Sequence, residues 1–254
     1  TERVITKLLA NVPPGFMKSL TVNVFWPAWE WGPMEMPWLR YVAFSYGSHL
    51  TERDNAKFRD LICSPDYQEM WGHVYRVTGD GKIKVTNDAQ GFKFASSIGG
   101  VGTGERGDRV LLDDPHKVNE AESDPVRKGT VQWFQESMSN RLNDMALSVI
   151  VIIMQRVHEE DVSAAALEDG DYVHLCIPFE YESSRHCVTV IGWEDPRTED
   201  GETAWSERFR NEEMAKFKRR IFLWSGQYQQ RPSPRGGGII KEDYWQTYEV
   251  PATR

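Results

Sequence analysis

Val12-Pro13-Pro14-Gly15-Phe16-Met17-Lys18-Ser19 is the stretch on which the reading of this chain turns. The apolar run before it, Ile5 to Val12, reads as a strand that ends at Pro13-Pro14-Gly15. Lys18 to Trp29 reads as a helix terminated by Gly32-Pro33. A turn that joins a strand to a helix N-terminus points backbone N–H groups at any anion placed there. Pro14, Gly15, Phe16 and Met17 would form the cradle. Lys18 would reach the β and γ oxygens of a nucleotide, and the Ser19 hydroxyl would hold Mg²⁺. The usual spacing G-x-x-x-x-G-K-[ST] is not met: Val12 stands for the first glycine, Met17 for the second, and only Gly15 lies inside the loop. By itself the stretch is equally compatible with an ordinary turn into a helix.

A second element strengthens the phosphate reading. Val110-Leu-Leu-Asp113-Asp114 is an apolar strand that runs into two carboxylates. In P-loop enzymes the acid at such a strand end organises Mg²⁺, which assigns Asp113 to the metal. The acid after it orients the attacking water, which assigns Asp114 to catalysis. Ser148 to Met154 is a continuous apolar run rich in β-branched residues, as expected of a strand buried on both faces of a parallel sheet. Gln155 follows it and is placed to sense a γ-phosphate through its amide.

The remaining pattern alternates strands and helices. Arg40 to Tyr46, Phe92 to Ser96 and Tyr172 to Ile177 read as strands. Val74–Val77 and Lys82–Thr86 flank Thr78-Gly-Asp-Gly81 as a hairpin. Thr51 is read as the N-cap of a helix through Ile62, and a further helix lies between Asp124 and Asn143. The expected fold class is α/β: a P-loop NTPase with a mostly parallel sheet flanked by helices, plus a small C-terminal helical appendage. Residues 1–180 would form the P-loop core and 181–230 a small lid-like subdomain. Residues 231–254, which include Pro232, Pro234 and Gly236-Gly-Gly238, would be a linker.

Bulk properties narrow the class. The 254 residues carry a formal charge of −8, so a DNA-binding role would have to rest on a local basic face. Cys63, Cys176 and Cys187 lack zinc-ligand spacing and read as reduced thiols. The longest apolar runs are far too short to span a bilayer, and no membrane partner is expected. The abrupt start at Thr1-Glu2-Arg3 suggests a fragment of a longer protein.

Four stretches together resemble one family. Asn11-Val-Pro-Pro-Gly-Phe-Met-Lys-Ser19 is similar to the variant phosphate loop of large terminase subunits from tailed bacteriophages. Gly104-Glu-Arg-Gly-Asp-Arg-Val-Leu-Leu-Asp-Asp-Pro115 resembles their second acidic motif. Ser148 to Asp161 resembles the strand and turn that couple hydrolysis to motion, and Gln227 to Gly238 the junction with a following nuclease domain. The resemblance implies an ATP-hydrolysing motor, with ATP and Mg²⁺ as cofactors, that drives double-stranded DNA into a procapsid. It implies a homo-oligomeric ring, a portal protein and a small terminase subunit as partners, and the host cytoplasm as location. The chain ends where the family's nuclease begins, so no nuclease activity is expected of it. The family's adenine contacts lie on an upstream segment, so a complete set of them is not expected here.

Phosphoryl transfer needs a cation for the developing charge. The phosphate loop holds no arginine, so one from a neighbouring subunit is expected. Arg106, in a glycine-rich segment before the acidic strand, is the first candidate; Arg141 and Arg109 are alternatives. Arg156 and His158 read as turn or packing residues, and His116 as a polar turn residue with metal ligation as its other reading. Arg208, Arg210, Lys216, Lys218, Arg219 and Arg220 read as the solvated face of a charged helix over Glu207–Ile221, with a DNA track as the alternative. Two rival functions share parts of this pattern. One is a helicase-like translocase, for whose second RecA-like domain the chain has no room. The other is a non-enzymatic DNA-binding module with a decayed nucleotide site.

Overall fold

The computed structural model describes residues 5–100 and 104–233. Eight strands form one sheet in the order β3-β4-β5-β2-β6-β7-β1-β8. β1 (Lys7–Asn11) leads through the phosphate-loop segment into α1 (Lys18–Leu20), a π-turn (Thr21–Phe25) and α2 (Trp26–Trp31). Then come β2 (Arg40–Ser45), α3 (Ser48–Ile62), α4 (Pro65–Trp71), β3 (Val77–Asp80), β4 (Lys84–Asn87), β5 (Phe92–Ser97) and β6 (Arg109–Asp113). α5 (Asp124–Ser137), β7 (Val149–Met154), α6 (Val162–Asp169) and β8 (Val173–Cys176) follow. The described chain closes with α7 (Asn211–Lys218), α8 (Ile221–Leu223) and a second π-turn (Trp224–Tyr228). The pairs β1–β7, β1–β8, β2–β5, β2–β6 and β6–β7 are all parallel; only the β3–β4–β5 edge is antiparallel. The α/β class with a mostly parallel sheet flanked by helices is therefore what the chain adopts.

The apolar runs explain the layering. β7 is buried along its whole length, with side chains alternating between faces at period 2. Val149, Val151 and Ile153 join Trp31, Phe58, Ile62 and Tyr67 beneath α2, α3 and α4. Ile150, Ile152 and Met154 join Phe134, Met138, Val162 and Ala166 beneath α5 and α6. Each such side chain contributes about 1.5–3 kcal/mol relative to exposure. A third cluster, around Phe179, Met214 and Tyr228, is built mainly from the C-terminal part of the chain, yet it includes Phe16 of the phosphate-loop segment.

Several local expectations are corrected. Thr51 is not an N-cap: α3 starts at Ser48 with Gly47 at the cap position. The Thr51 hydroxyl is turned inward, where it donates to Ser48 O and Ser96 O. The hairpin is shifted, so that Thr78, Gly79 and Asp80 lie within β3, with a register irregularity between Val77 and Gly79. Gly79 makes this possible, because a Cβ there would lie 2.7 Å from the Thr86 hydroxyl. The helix expected over Asp124–Asn143 ends at Ser137 and is followed by a 3-10 turn, Ser139–Arg141. The charged helix is only Asn211–Lys218; Arg208 and Arg210 precede it because Phe209 between them is drawn into aromatic packing. The linker expected over 231–254 lies, from residue 234 onward, outside the described residues. Among the described residues no helix is long and apolar enough to cross a membrane.

Arg109 is a structural residue. Its guanidinium donates to both Glu30 oxygens at 2.7–3.2 Å, and Glu30 also accepts from the Tyr41 hydroxyl. Both charges are almost fully buried, so removing one strands the other in the core. Arg109→Ala is expected to lower unfolding stability by about 3–5 kcal/mol. The joint replacement Glu30→Leu with Arg109→Met should recover most of that loss. Urea denaturation distinguishes the two; a loss below about 1 kcal/mol for the single variant would show that the pair is not uncompensated.

Candidate functional site

Register places the site. Asn11 pairs with Met154, Asp113 with Ile153, and Ser45 with Asp113. The central strands therefore end level, and the residues that leave them emerge side by side at the carboxyl edge of the sheet. This is where open α/β sheets bind ligands. A cavity of about 480 Å³ opens there, lined by Pro14, Gly15, Lys18, Ser19, Ser45, Arg53, Asp113, Asp114 and Gln155, among others.

The loop between β1 and α1 is held in shape by its backbone. Gly15 has φ +85° and Met17 φ +58°. Gly15 supplies the left-handed conformation at no steric cost, whereas Met17 adopts it with a side chain, at a cost of roughly 1–2 kcal/mol. The missing second glycine thus leaves the backbone geometry of that position in place. The Phe16 ring packs away from the cavity: it stacks on Phe209 at 5.0 Å between centroids and meets Trp205 and Phe179 edge-on.

Three side chains meet behind the loop, one from the start of α1 and two from the ends of β6 and β7. Lys18 Nζ lies 3.0 Å from Asp114 Oδ2 and donates to Gln155 Oε1 at 3.1 Å. The Gln155 backbone N–H donates to Asp114 Oδ1 at 3.2 Å. Asp114 sits at φ +40°, a conformation that aspartate tolerates better than most residues. Its neighbour Asp113 is buried, and Oδ2 accepts from Asn23 Nδ2 at 3.0 Å. Asp113 Oδ1, Asn23 Oδ1 and Ser45 Oγ are buried without a hydrogen-bond partner among the described residues. Burial, and then the charge of Asp114, push the Asp113 carboxyl well above the usual range, to about 7, against the opposing effects of Ser19 and Lys18. Orphaned buried acceptors beside a hydroxyl, with a carboxylate short of positive charge, form a donor set that fits a hard divalent cation with oxygen ligands.

The fold can be compared with known structures at this point. The chain is similar to a solved terminase. In the crystal structure of the HK97 bacteriophage large terminase, the likeness covers 70% of this chain at 16% sequence identity and a TM-score of 0.47. This chain matches 36% of that protein, about a third of its length. No family profile and no curated protein matches the chain.

None of the three candidates for an arginine lent by a neighbouring subunit lines this chain's own cavity. Arg106 is exposed and precedes β6, so it lies at the opposite end of that strand from Asp113, roughly 16 Å or more away along five residues of strand. It can reach a phosphate only on another copy of the chain. Arg141 lies at that same far edge, its carbonyl accepting from Gly107 N–H, and Arg109 is locked to Glu30. Arg156 pairs with buried Asp161, and the His158 ring accepts from Glu160 N–H, in keeping with turn roles. Arg208 packs over Trp205 and Phe209 and lines a second cavity beside Met17 and Lys18. Two residues of the site carry no motif in the sequence. Phe209 meets the loop from almost two hundred positions away, and Arg53 lines the main cavity from α3.

His116 lines the same cavity, but its Nε2 accepts from Val162 N–H at 3.0 Å, which requires a neutral ring and commits that nitrogen. Burial depresses its pKa to about 4; Asp161 opposes this, and Arg127 and His158 add to it. The folded pKa lies below the ordinary value of 6.5. The unfolded chain thus takes up the proton first, and the stabilisation present above 6.5 is lost as pH falls toward 4. His174 is depressed in the same direction, mainly by burial. The stability of the wild type is expected to fall from pH 6.5 to 4 by up to about 1.4 kcal/mol per pH unit for each such proton. His116→Gln should be less stable at pH 7 yet show a shallower acid limb. Urea midpoints at pH 7 and 5 test this, and parallel pH profiles for the two proteins would remove His116 from the account.

Proposed function

We propose that this chain is a magnesium-dependent ATP-hydrolysing domain. The observation that carries the reading is the convergence of Lys18 from the start of α1 with Asp114 and Gln155 from the ends of β6 and β7 onto one cavity, beside the oxygen of Asp113 that has no partner among the described residues. Ser19 and Asp113 would hold Mg²⁺, directly or through water. Bound there, the ion would neutralise charge on the β- and γ-phosphoryl oxygens.

The protein's own groups do the rest. Backbone N–H groups from Gly15 to Ser19 cradle the phosphates, and Phe16 holds the loop in place through Phe209. The phosphate oxygens compete with Asp114 for Lys18. As Lys18 turns to the phosphates, Asp114 Oδ2 is released to accept a hydrogen bond from water, while its Oδ1 stays fixed by Gln155 N–H. The water oxygen then bonds to the γ-phosphorus, and the bridging β–γ P–O bond breaks with its electron pair going to ADP. One water proton passes through Asp114 Oδ2 to solvent, leaving ADP and inorganic phosphate. The Gln155 amide, already in contact with Lys18, registers whether the γ-phosphate is present.

The wider role is that of a packaging motor for double-stranded viral DNA. It is supported by the four terminase-like stretches of sequence rather than by the site. On this reading residues 1–180 are the ATPase core, 181–230 a lid over the phosphate loop, and 231–254 a linker. The partners are DNA, a portal protein, a small terminase subunit and further copies of the chain, in the host cytoplasm.

Calorimetry with ATP and Mg²⁺ tests the nucleotide reading. Lys18→Ala is expected to lose at least about tenfold in affinity, because it removes a charge-assisted contact of about 1.5–3 kcal/mol. Asp114→Asn should keep affinity within about threefold and lose about 10²-fold or more in turnover, as expected when a transition-state interaction alone is removed. Equal ATP binding by wild type and Lys18→Ala would remove the phosphate-loop assignment. Undiminished turnover in Asp114→Asn would move the catalytic carboxylate elsewhere.

A further inference from the structure

The cavity contains an arginine of its own. Arg53 lies on α3, the helix that follows β2, and lines both the main cavity with Lys18, Ser19 and Asp113 and the adjoining cavity of about 470 Å³ beside Met17. Consecutive residues on a helix normally point apart. Here Arg53 is folded back onto its neighbour: Nε donates to Asp54 Oδ1 at 2.9 Å and Nη2 to Asp54 Oδ2 at 3.1 Å. Asp54 is buried, whereas the Arg53 side chain stays half exposed. A buried carboxylate therefore clamps one edge of the guanidinium and leaves Nη1 without a hydrogen bond among the described residues.

The clamp has a direction. α3 packs beside the π-turn of the phosphate-loop helix, and its buried polar residues Thr51, Asp54 and Asn55 face the sheet. Arg53 is held by its bonds to inward-facing Asp54, with its side chain half exposed where it lines the two cavities. Its bond to Asp54 raises its pKa, against burial, and the charge of Asp113 adds to this. The other cations of the main cavity are already placed. Lys18 is needed at the β and γ oxygens, and Lys117 is paired with Glu120. His116 is kept neutral by its bond from Val162 N–H.

We propose that Arg53 supplies the positive charge that the transferring γ-phosphoryl group requires, in cis, with Asp54 as the residue that positions it. This rests on the nucleotide reading above. It differs from a finger lent by a neighbour: the donor is in the same chain as the Lys18 and Asp114 it serves. A rigid fork preset by a buried partner needs little reorganisation as charge develops, and such preorganised donors give the largest electrostatic effects.

The test compares ADP with ADP–aluminium fluoride, both with Mg²⁺, by calorimetry on the wild-type chain and on Arg53→Ala, Arg53→Lys and Asp54→Asn. The fluoride complex mimics the planar transferring group, so the wild type is expected to bind it at least about 10²-fold tighter than ADP. Both Arg53 variants should shrink that gap by about tenfold or more while ADP affinity stays within about threefold. Arg53→Lys keeps a charge for Asp54 and so guards against a folding defect in the alanine variant. Asp54→Asn should give an intermediate gap. Mixing Arg53→Ala with Asp114→Asn chains should restore no turnover, because no mixture places both groups in one site. A gap undiminished in Arg53→Lys and Arg53→Ala, no gap in the wild type, or rescue on mixing would each overturn the proposal while leaving the nucleotide site standing. Failure of the wild type to bind ADP at all would overturn the nucleotide reading, and this inference with it.

Discussion

A strand that is apolar on both faces does not fix its own register, because a slip by one residue exchanges one apolar contact for another. The central sheet of this protein has that problem, and Asn11 solves it. Its amide nitrogen donates to Met154 O at 3.2 Å and to Ser163 Oγ at 2.8 Å, and its oxygen meets His174 Nε2 at 2.8 Å. One buried polar side chain at the end of β1 therefore fixes the levels of β1, β7, β8 and α6 against one another. A slip would leave those groups buried and unpaired, which costs far more than a misplaced methyl group. Everything at the carboxyl edge inherits this setting. Gln155 follows the strand that Asn11 holds, and Asp114 is tied to the same strand through Ile153 O.

The same edge concentrates backbone strain. Met17 and Asp114 are two non-glycine residues at positive φ, and both lie in the loops that form the cavity. Strain of this kind persists where surrounding contacts over-determine it. At Met17 the determinant is the neighbouring Phe16 ring, fixed by Phe209. At Asp114 it is the pair of bonds from Lys18 and Gln155. The two adjacent acids consequently part company: Asp113 turns into the core beside Asn23, and Asp114 turns toward Lys18.

What could be read in the sequence follows from distance along the chain. Asp113, Asp114 and Gln155 stand at or directly after the end of an apolar strand, and Lys18 and Ser19 open the helix that the first strand leads into, so a strand end sets where each of them goes. Their convergence was legible without any long-range information. Arg53 was not, since an Arg-Asp pair in a polar helix looks like any solvated face, and only the burial of Asp54 sets it apart. Among the finger candidates, Arg109 is held by buried Glu30, a partner that no local pattern reveals, while Arg106 stands exposed at the far end of β6, away from this chain's own cavity. Thr51 was misread because its hydroxyl finds Ser96 O on β5, a partner no local rule contains. Phe209 illustrates the limit most plainly, since nothing in Trp205-Ser-Glu-Arg-Phe209 announces a ring destined for the phosphate loop.

That ring has a further meaning. A Cβ on Gly15 would lie 3.0 Å from Phe209, and Phe16 stacks flat against it, so the loop and the C-terminal aromatic cluster share one packed surface with almost no slack. Thermodynamic linkage then runs both ways. If a ligand in the loop shifts Phe16, it does work on the cluster; whatever grips the cluster from outside changes affinity in the loop by the same factor. The stacked pair is in this sense a transmission shaft, and load applied to the cluster would be felt as a change in how tightly the loop holds whatever ligand it takes.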